Sequence, residues 1–204
     1  MNIGIVSNIV SYADSAETNL NEKALSLPGM SSRKVRNLLN KAVSYPDAKY
    51  LEIGVWHGST LYSALYNNDP KYVVAIDNFS QFNGQKQDFF NNMNGVGVDF
   101  TLLDSNCFSL DKSIFTDKFN VYFYDGGHTE LDQERALTYY YDCMDDTFLY
   151  ICDDYNWSQV KSGTANGIAK CNLKVLEEQE LLTSNTGDVD SWWNGIWIAL
   201  LQKG

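Results

Sequence analysis

The sequence has few basic residues and no long apolar run, and each shortage excludes a class of partner. Lysine and arginine number 15 against 26 aspartate and glutamate residues, which gives a formal net charge of −11. A chain of this charge repels the phosphates of nucleic acids. The longest apolar runs are far shorter than the ~20 residues that a membrane-spanning helix requires. We therefore expect neither nucleic acid nor a membrane as a partner.

The cysteines and the first residues are typical of a protein that stays in the cytoplasm. The spacing of Cys107, Cys143, Cys152 and Cys171 matches neither a CxxC metal pair nor a dense disulfide framework. Residues 1–14 show neither the basic start nor the cleavage site of a signal peptide. We expect a cytoplasmic protein with reduced thiols.

Apolar residues occur in short runs that alternate with segments of helical character. Seven runs have strand character, and most are nearly continuous, as in strands that are covered on both faces. They span residues 50–54, 72–77, 98–104, 120–125, 148–153, 173–181 and 195–202. Helical segments at 58–67, 85–94, 109–115 and 131–144 lie between the first five runs. This alternation predicts a parallel sheet.

The two ends of the chain complete the predicted fold. Ser31 or Ser32 is placed to cap a helix that ends before Pro46. The last two strands are joined by a polar loop without a crossover helix, which predicts an antiparallel pair. We predict an α/β fold with a Rossmann-like, doubly wound sheet of seven strands, mostly parallel with an antiparallel last strand, and helices on both faces. One domain would cover 1–204, with a helical cap segment over 1–45 and the core over 46–204.

Acidic residues recur where the predicted strands end. Glu52 lies in the first strand, and Asp77, Asp104, Asp125 and Asp153 end the next four. The carboxyl ends of parallel strands share one edge of a sheet, where ligands bind at the topological switch point. We therefore expect five carboxylates along one crevice.

Asp125, Asp153 and Asp154 would repel each other there unless a proton or a cation lies between them. Oxygen ligands with open positions for water and substrate suit Mg²⁺, and Ca²⁺ and Mn²⁺ use similar ligands. The alternative is that Asp153 and Asp154 cap the helix that follows.

The turn after the first strand, 52–60, is typical of a ligand-binding turn. Its glycines and hydroxyls are Gly54, Gly58, Ser59 and Thr60. Trp56 stands where a dinucleotide fingerprint has its second glycine, which disfavours a nicotinamide or flavin dinucleotide. Asp77 follows Gly54 at close to the ~20 residues expected of an acid that binds a ribose diol. These residues predict a nucleoside ligand that a carboxylate holds.

The 52–60 turn, Asp77, the run Asp125-Gly126-Gly127-His128 and the run Asp153-Asp154-Tyr155 resemble the class I S-adenosylmethionine-dependent methyltransferases. The resemblance extends from about residue 30 to the carboxyl end. It is greatest to the macrocin-type sugar O-methyltransferases (methyltransferase family 24) and more distant to the catechol O-methyltransferases.

The resemblance implies a role for each matching residue. Glu52, Gly54, Gly58, Ser59 and Thr60 would surround S-adenosylmethionine, and Asp77 would bind its ribose. Asp104, with Cys107 and Phe108, would lie near the adenine. The acids Asp125, Asp153 and Asp154 would hold Mg²⁺, which binds the acceptor's oxygen atoms.

Two residues compete for the role of general base. His128 stands where the catechol enzymes have a lysine base, and an imidazole suits proton removal near neutral pH. Asp125 is the alternative, because a free carboxylate oxygen also accepts a proton.

The main hypothesis is Mg²⁺-assisted O-methylation of a hydroxyl on a small molecule such as a sugar or an aryl diol. The alternative is a non-catalytic nucleoside-binding or assembly module on the same fold, which exposes Trp157 or the pair Trp192-Trp193 to a partner. These tryptophans would line the acceptor pocket of a methyltransferase, or they would pack at a sheet edge or a subunit interface in a non-catalytic module. Formation of a homo-oligomer stays open.

Overall fold

Seven strands form one sheet within residues 1–15, 17–83 and 86–204, the part of the chain that this computed structural model describes. The strands are β1 (Lys49–Ile53), β2 (Tyr72–Asp77), β3 (Thr101–Asp104), β4 (Phe119–Tyr124), β5 (Met144–Cys152), β6 (Lys174–Leu181) and β7 (Ile196–Gln202). Their order across the sheet is β3-β2-β1-β4-β5-β7-β6. The order reverses between β1 and β4, so a crevice opens at the carboxyl ends of these two strands.

The directions of the strands agree with the predicted fold class. β1 is parallel to β2 and β4, β2 is parallel to β3, and β4 is parallel to β5. β7 is antiparallel to both neighbours, β5 and β6. The reversal follows because the loop between β6 and β7 contains no helix that would return the chain to the other end of the sheet.

Helices cover both faces of the sheet, as predicted. They are α1 (Ile5–Asp14), α2 (Glu22–Ser26), α3 (Arg33–Val43), α4 (Ser59–Leu65), α5 (Lys86–Met93), α6 (Glu130–Tyr140) and α7 (Ser158–Lys170). Buried residues of α1 to α5 pack with Tyr50 and Val121 on one face, and those of α6 and α7 pack with Leu51 and Tyr122 on the other. Neighbouring residues of one strand thus face different apolar layers, which explains the nearly continuous apolar runs. In the described ranges, no helix combines the length and the apolar composition needed to cross a bilayer.

The described residues ahead of β1 form three helices, of which the sequence pattern located only α3. The Ser32 side chain accepts a hydrogen bond from the Val35 N–H, so Ser32 is the N-cap of α3. The Glu177 carboxylate on β6 accepts hydrogen bonds from the N–H groups of Gly4, Val6 and Ser7 at the start of α1. This long-range contact satisfies helix N–H groups that have no partner within the helix.

Two predicted helices are shorter than expected. Only the 3-10 turn Lys112–Ile114 forms within the predicted helix 109–115. The predicted helix 131–144 ends at Tyr140, because a second 3-10 turn leads into β5 at Met144. Met144, the last residue of the predicted helix, pairs with Phe119 of β4 and therefore belongs to the sheet.

Other boundaries shift by a few residues. The predicted strand 98–104 begins only at Thr101. The predicted helix 58–67 forms as α4, and the predicted helix 85–94 forms as α5. Gln85 itself lies outside the described residues.

Candidate active site

A cavity of about 550 Å³ opens at the carboxyl ends of the five strands β1 to β5. Its wall is built from the loops that follow these strands, from Met30 ahead of α3, and from the loop between β6 and β7. Its volume is in the range of sites for small molecules and cofactors. The cavity therefore occupies the crevice in which the sequence places a ligand.

The turn after β1 lies close against the neighbouring strand β4. Gly54 has a φ angle of +86°, and a Cβ at this position would lie 1.8 Å from the carbonyl oxygen of Asp125. Only glycine fits such a contact. The Gly54 N–H donates to the Ile76 carbonyl, and the Asp125 N–H donates to the Ile53 carbonyl. The turn thereby joins the ends of β1, β2 and β4, and Gly54 and Trp56 line the cavity.

Asp77 lines the cavity and also holds the turn in place. Its Oδ2 accepts hydrogen bonds from the N–H groups of Val55 at 2.9 Å and Trp56 at 2.8 Å. Its Oδ1 accepts a hydrogen bond from the Phe79 N–H at 2.6 Å. Three backbone donors thus compensate the charge of this carboxylate.

Four of the predicted cofactor residues lie behind the turn and outside the described cavity wall: Glu52, Gly58, Ser59 and Thr60. The buried Glu52 carboxylate accepts hydrogen bonds from the hydroxyls of Tyr50 at 2.6 Å and Thr60 at 2.5 Å. Burial raises the pKa of Glu52 to about 7. Ser59 is buried with its hydroxyl 3.5 Å from that of Ser31. These residues support the turn, and a direct cofactor contact for them stays a prediction.

Asp104 also lies outside the described cavity wall, where it forms an exposed ion pair with Lys86 at 2.8 Å. The loop after it lines the cavity instead, through Ser105, Asn106, Cys107 and Phe108. Tyr140 donates a hydrogen bond to the Cys107 carbonyl, and the Arg135 guanidinium lies 4.2 Å from the centre of the Phe108 ring. Burial raises the pKa of Cys107 to about 11. The sequence pattern did not identify Ser105 and Asn106, because small polar residues after a strand are common.

Three acids meet where β4 and β5 end. Asp125 is half-buried, and Asp153 and Asp154 are only 3% and 5% exposed. Burial raises the pKa of Asp125 and of Asp153 well above the ordinary value, and repulsion from neighbouring carboxylates raises it further. The structure thus brings together the three acids that the sequence singles out, and their charges are not compensated by backbone donors to the extent seen at Asp77.

Ligand atoms of Asp125, His128 and Asp154 all lie within 4.8 Å of one another. His128 Nδ1 lies 3.0 Å from Asp154 Oδ2, yet within the described residues this buried nitrogen has no aligned hydrogen-bond partner. Asp153 is outside this group, and its Oδ1 accepts the Asp154 N–H at 2.8 Å. The donor set fits a divalent cation such as Mg²⁺ or Mn²⁺, which would offset the repulsion between the carboxylates. The grouping contains His128 where the predicted set of ligands has Asp153.

The loop that carries His128 is fixed by two side chains. The Gly127 carbonyl accepts hydrogen bonds from the Tyr124 hydroxyl and the Gln133 amide, both at 3.2 Å. The edge of one ring of the pair His128 and Trp157 meets the face of the other, with the centres 5.1 Å apart. Gln133 is 1% exposed, and its contact with the loop could not be predicted because glutamine is common in the first turn of a helix.

The tryptophans divide between the cavity and the core. Trp157 and Trp193 line the cavity, whereas Trp192 is buried in the apolar layer beneath it. Trp56 lines the cavity as well, and its indole N–H is buried with no hydrogen-bond partner among the described residues. His57 stacks on Trp56 with ring centres 3.8 Å apart.

The cavity wall is acidic and aromatic. Its acidic residues are Asp77, Asp125, Asp132, Asp153 and Asp154. Among the described wall residues there is no lysine or arginine. The sequence pattern did not identify Gln81, Phe82, Asp132, Thr186 and Gly187 as wall residues, and the segments of Met30 and Asn194 have no specific signature in the sequence. The wall thus favours ligands that are neutral or positively charged.

No protein-family model and no curated protein matches the sequence. Solved structures do match. TomG, an O-methyltransferase of Streptomyces achromogenes solved with S-adenosylmethionine, is 14% identical with a TM-score of 0.63, and the match covers 97% of this chain and 96% of TomG. An O-methyltransferase of Bacillus cereus solved with S-adenosylhomocysteine is 11% identical with a TM-score of 0.63, and the match covers 96% of this chain and 97% of that enzyme.

SMU.776, solved with S-adenosylhomocysteine, is 14% identical with a TM-score of 0.62, and the match covers 86% of this chain. The chain spans only about half of SMU.776, since 50% of that protein is covered. Similarity at these identities is similarity of fold, and membership of the macrocin-type family stays a prediction. The chain therefore has the Rossmann-like fold of the class I S-adenosylmethionine-dependent methyltransferases, as the sequence predicts.

Proposed function

We propose that the protein is an S-adenosylmethionine-dependent methyltransferase that methylates a hydroxyl of a small molecule with the help of a divalent cation. One observation carries this proposal. A single cavity has the Gly54 turn with Asp77 on one part of its wall and the group of Asp125, His128 and Asp154 on another. A nucleoside and a cation-bound acceptor would thus meet in one space.

The cofactor part of the site follows from the turn and the loop after β3. Gly54 lets the turn lie against β4 and lines the cavity, and Asp77 would offer a carboxylate oxygen to the ribose hydroxyls. Ser105 to Phe108 form the wall on which the nucleobase would lie. S-adenosylmethionine supplies the transferable methyl group from a positively charged sulfur, which suits an acidic wall.

Asp125 and Asp154 are assigned as cation ligands. The buried Asp153 would orient Asp154, because its carboxylate accepts a hydrogen bond from the Asp154 N–H. A bound divalent cation would lower the pKa of an acceptor hydroxyl. We assign proton removal to Nε2 of His128, because Asp154 Oδ2 is 3.0 Å from Nδ1 and would stabilise the protonated ring.

The acceptor is proposed to be small, and neutral or positively charged. Trp157 and Trp193 offer flat apolar faces to a ring. The acidic wall disfavours phosphate and carboxylate groups, and the net charge of −11 disfavours nucleic acid. Alignment of the acceptor oxygen with the methyl group would supply much of the rate enhancement.

The proposal is tested by calorimetry with S-adenosylhomocysteine, followed by transfer from labelled S-adenosylmethionine with and without a chelator. We expect binding that persists in the chelator and transfer that stops until Mg²⁺ or Mn²⁺ is restored. Dopamine and 3,4-dihydroxyphenylacetate present the same diol with opposite charge, and we expect faster transfer to dopamine.

Each part of the proposal has its own contrary result. Absence of S-adenosylhomocysteine binding would refute the methyltransferase assignment. Methyl transfer that continues at the same rate in the chelator would show that the reaction does not need a cation. Binding without transfer to any diol or sugar would favour the alternative of a non-catalytic module, and faster transfer to the carboxylate would refute the charge argument.

A further inference from the structure

The loop between β6 and β7, residues 182–195, is attached to Asp154 through one side chain. Asn194 donates a hydrogen bond from Nδ2 to Asp154 Oδ1 at 2.6 Å. Its Oδ1 accepts a hydrogen bond from the Gly187 N–H at 2.7 Å. Asn194 therefore connects a proposed cation ligand to the middle of the loop.

The residues that this connection fixes face the cavity. Thr186, Gly187 and Trp193 line the wall, and so does Asn194 itself. Asp188 and Trp193 pair through both backbone N–H groups, which closes the loop into a tight bend between them. A shift of the Gly187 segment would therefore move Trp193 in the wall.

Asp154 depends on Asn194 for its orientation. Its backbone has a φ angle of +58°, which is uncommon for a residue other than glycine. Its Oδ2 lies beside His128 Nδ1, and its Oδ1 accepts the Asn194 amide. With Oδ1 held in this way, Oδ2, which lies beside His128, is the oxygen left to bind a cation.

A second asparagine holds the same loop, and its described side-chain hydrogen bonds go to Thr183 and not to Asp125, Asp153 or Asp154. Asn156 donates from Nδ2 to the Thr183 carbonyl at 2.7 Å and accepts the Thr183 N–H at 3.2 Å. The Asn156 side chain thus fixes the start of the loop, and its backbone N–H donates to the Asn194 carbonyl at 3.0 Å near the end, a contact that Asn156→Ala keeps. Of these two anchors, Asn194 is the one whose side chain contacts Asp154.

We infer that Asn194 is a positioning residue that couples the cation site to the loop beside the acceptor. The inference rests on the proposed function, because it takes Asp154 as a cation ligand. Coupling of this kind is reciprocal, so a bound cation should make the loop less mobile and a more mobile loop should bind the cation less tightly. The cation site and the acceptor wall would then become ordered together.

The first test measures Mn²⁺ binding by electron paramagnetic resonance. Loss of a residue that orients a metal ligand lowers affinity by about 10- to 100-fold, so we expect the Mn²⁺ dissociation constant of Asn194→Ala to rise at least tenfold. Asn156→Ala is the matched control, since it frees the same loop, and its dissociation constant should stay within about twofold of wild type.

The second test compares hydrogen exchange in the wild-type protein and in Asn194→Ala. Hydrogen exchange of the Gly187 amide in the wild-type protein should slow when Mn²⁺ or Mg²⁺ is added, and this slowing should disappear in Asn194→Ala. S-adenosylhomocysteine affinity, measured by calorimetry on both variants, should remain near wild type because neither asparagine touches the Gly54 turn or Asp77.

The outcomes separate this inference from the proposed function. Mn²⁺ binding that is unchanged in Asn194→Ala, or weakened equally in Asn156→Ala, would overturn the inference and leave the cation site standing. Unchanged exchange at Gly187 on addition of the cation would overturn it as well. Absence of Mn²⁺ binding in the wild type would overturn both the inference and the proposed cation site.

Discussion

Two parts of the cavity wall handle negative charge in different ways. At the end of β2, the Asp77 carboxylate accepts three backbone N–H groups and is held by the turn that it stabilises. At the ends of β4 and β5, Asp125, Asp153 and Asp154 crowd together, and burial and mutual repulsion raise the pKa of Asp125 and Asp153.

The difference indicates which ligand each part of the wall needs. A carboxylate with backbone donors stays in place without a counter-ion and is free to accept hydrogen bonds from a neutral sugar. Crowded carboxylates require a proton or a cation. One part thus suits the ribose of a nucleoside and the other a divalent ion. Substitutions at Asp125, His128 and Asp77 test that division, and a substitution at Glu52 tests the support behind the turn.

The largest effect is expected at the crowded acids. Asp125→Asn removes a proposed cation ligand and should lower methyl transfer about a thousandfold, or ~4 kcal/mol of transition-state stabilisation. S-adenosylhomocysteine affinity, measured by calorimetry, should remain within about threefold of wild type. Asp142→Asn alters an exposed acid outside the described cavity wall and serves as the control. Equal loss of cofactor affinity and transfer would show that Asp125 is structural.

Glu52 tests the buried support behind the turn. Its pKa is about 7 in the folded protein against an ordinary value of 4.5. The folded state holds this proton more tightly than the unfolded state, so wild-type stability should fall as pH rises from 4.5 to 7. Glu52→Gln lacks this loss, and its stability relative to wild type should improve by up to about 3 kcal/mol between pH 5 and pH 8.

Urea unfolding of both proteins at the two pH values measures this change. A difference in unfolding free energy that stays constant with pH would mean that burial does not raise the pKa of Glu52.

His128→Asn separates proton removal from cation binding. We expect kcat to fall about a hundredfold, as for loss of a general base, and Mn²⁺ affinity to stay within about threefold of wild type. Transfer kinetics and paramagnetic resonance on the same preparation provide the two numbers. A matching loss of Mn²⁺ binding would instead make His128 a cation ligand, as its place in the group with Asp125 and Asp154 also permits.

The smallest effect is expected at the compensated acid. Asp77→Asn keeps one oxygen acceptor but loses a charged one, so the dissociation constant of S-adenosylhomocysteine should rise about tenfold. Mn²⁺ binding should not change, because Asp77 is outside the cation group. An unchanged cofactor constant in calorimetry would remove Asp77 from the ribose role.

The sheet and its acidic edge could be predicted from the sequence because both follow from short-range patterns. Continuous apolar runs, helical segments between them and a loop without a helix before β7 determine the topology. The position of Asp77 after β2 and of Asp125 after β4 then follows from the strand ends alone.

Glu52 shows where this reasoning stops. Alternate residues of a strand face the same side, so Glu52 shares the side of Tyr50, which packs in the layer of α1 to α5. The sequence shows that an acid lies in β1, but only the packing shows that it turns away from the cavity to meet Thr60.

The acceptor side of the wall could not be predicted for a different reason. Met30 lies ahead of α3, far along the chain from Thr186 and Asn194, which the β6–β7 hairpin holds in one loop. No local pattern marks Asn194, although its side chain contacts both Asp154 and Gly187.

The central claim is that one cavity holds a nucleoside beside Asp77 and a cation beside Asp125 and Asp154. A crystal structure of the protein with S-adenosylhomocysteine and Mn²⁺, with anomalous data collected for manganese, tests it most directly. The account predicts one anomalous peak in contact with the carboxylates of Asp125 and Asp154, and the ribose hydroxyls on Asp77. Manganese bound elsewhere, or a nucleoside that does not reach Asp77, would contradict it.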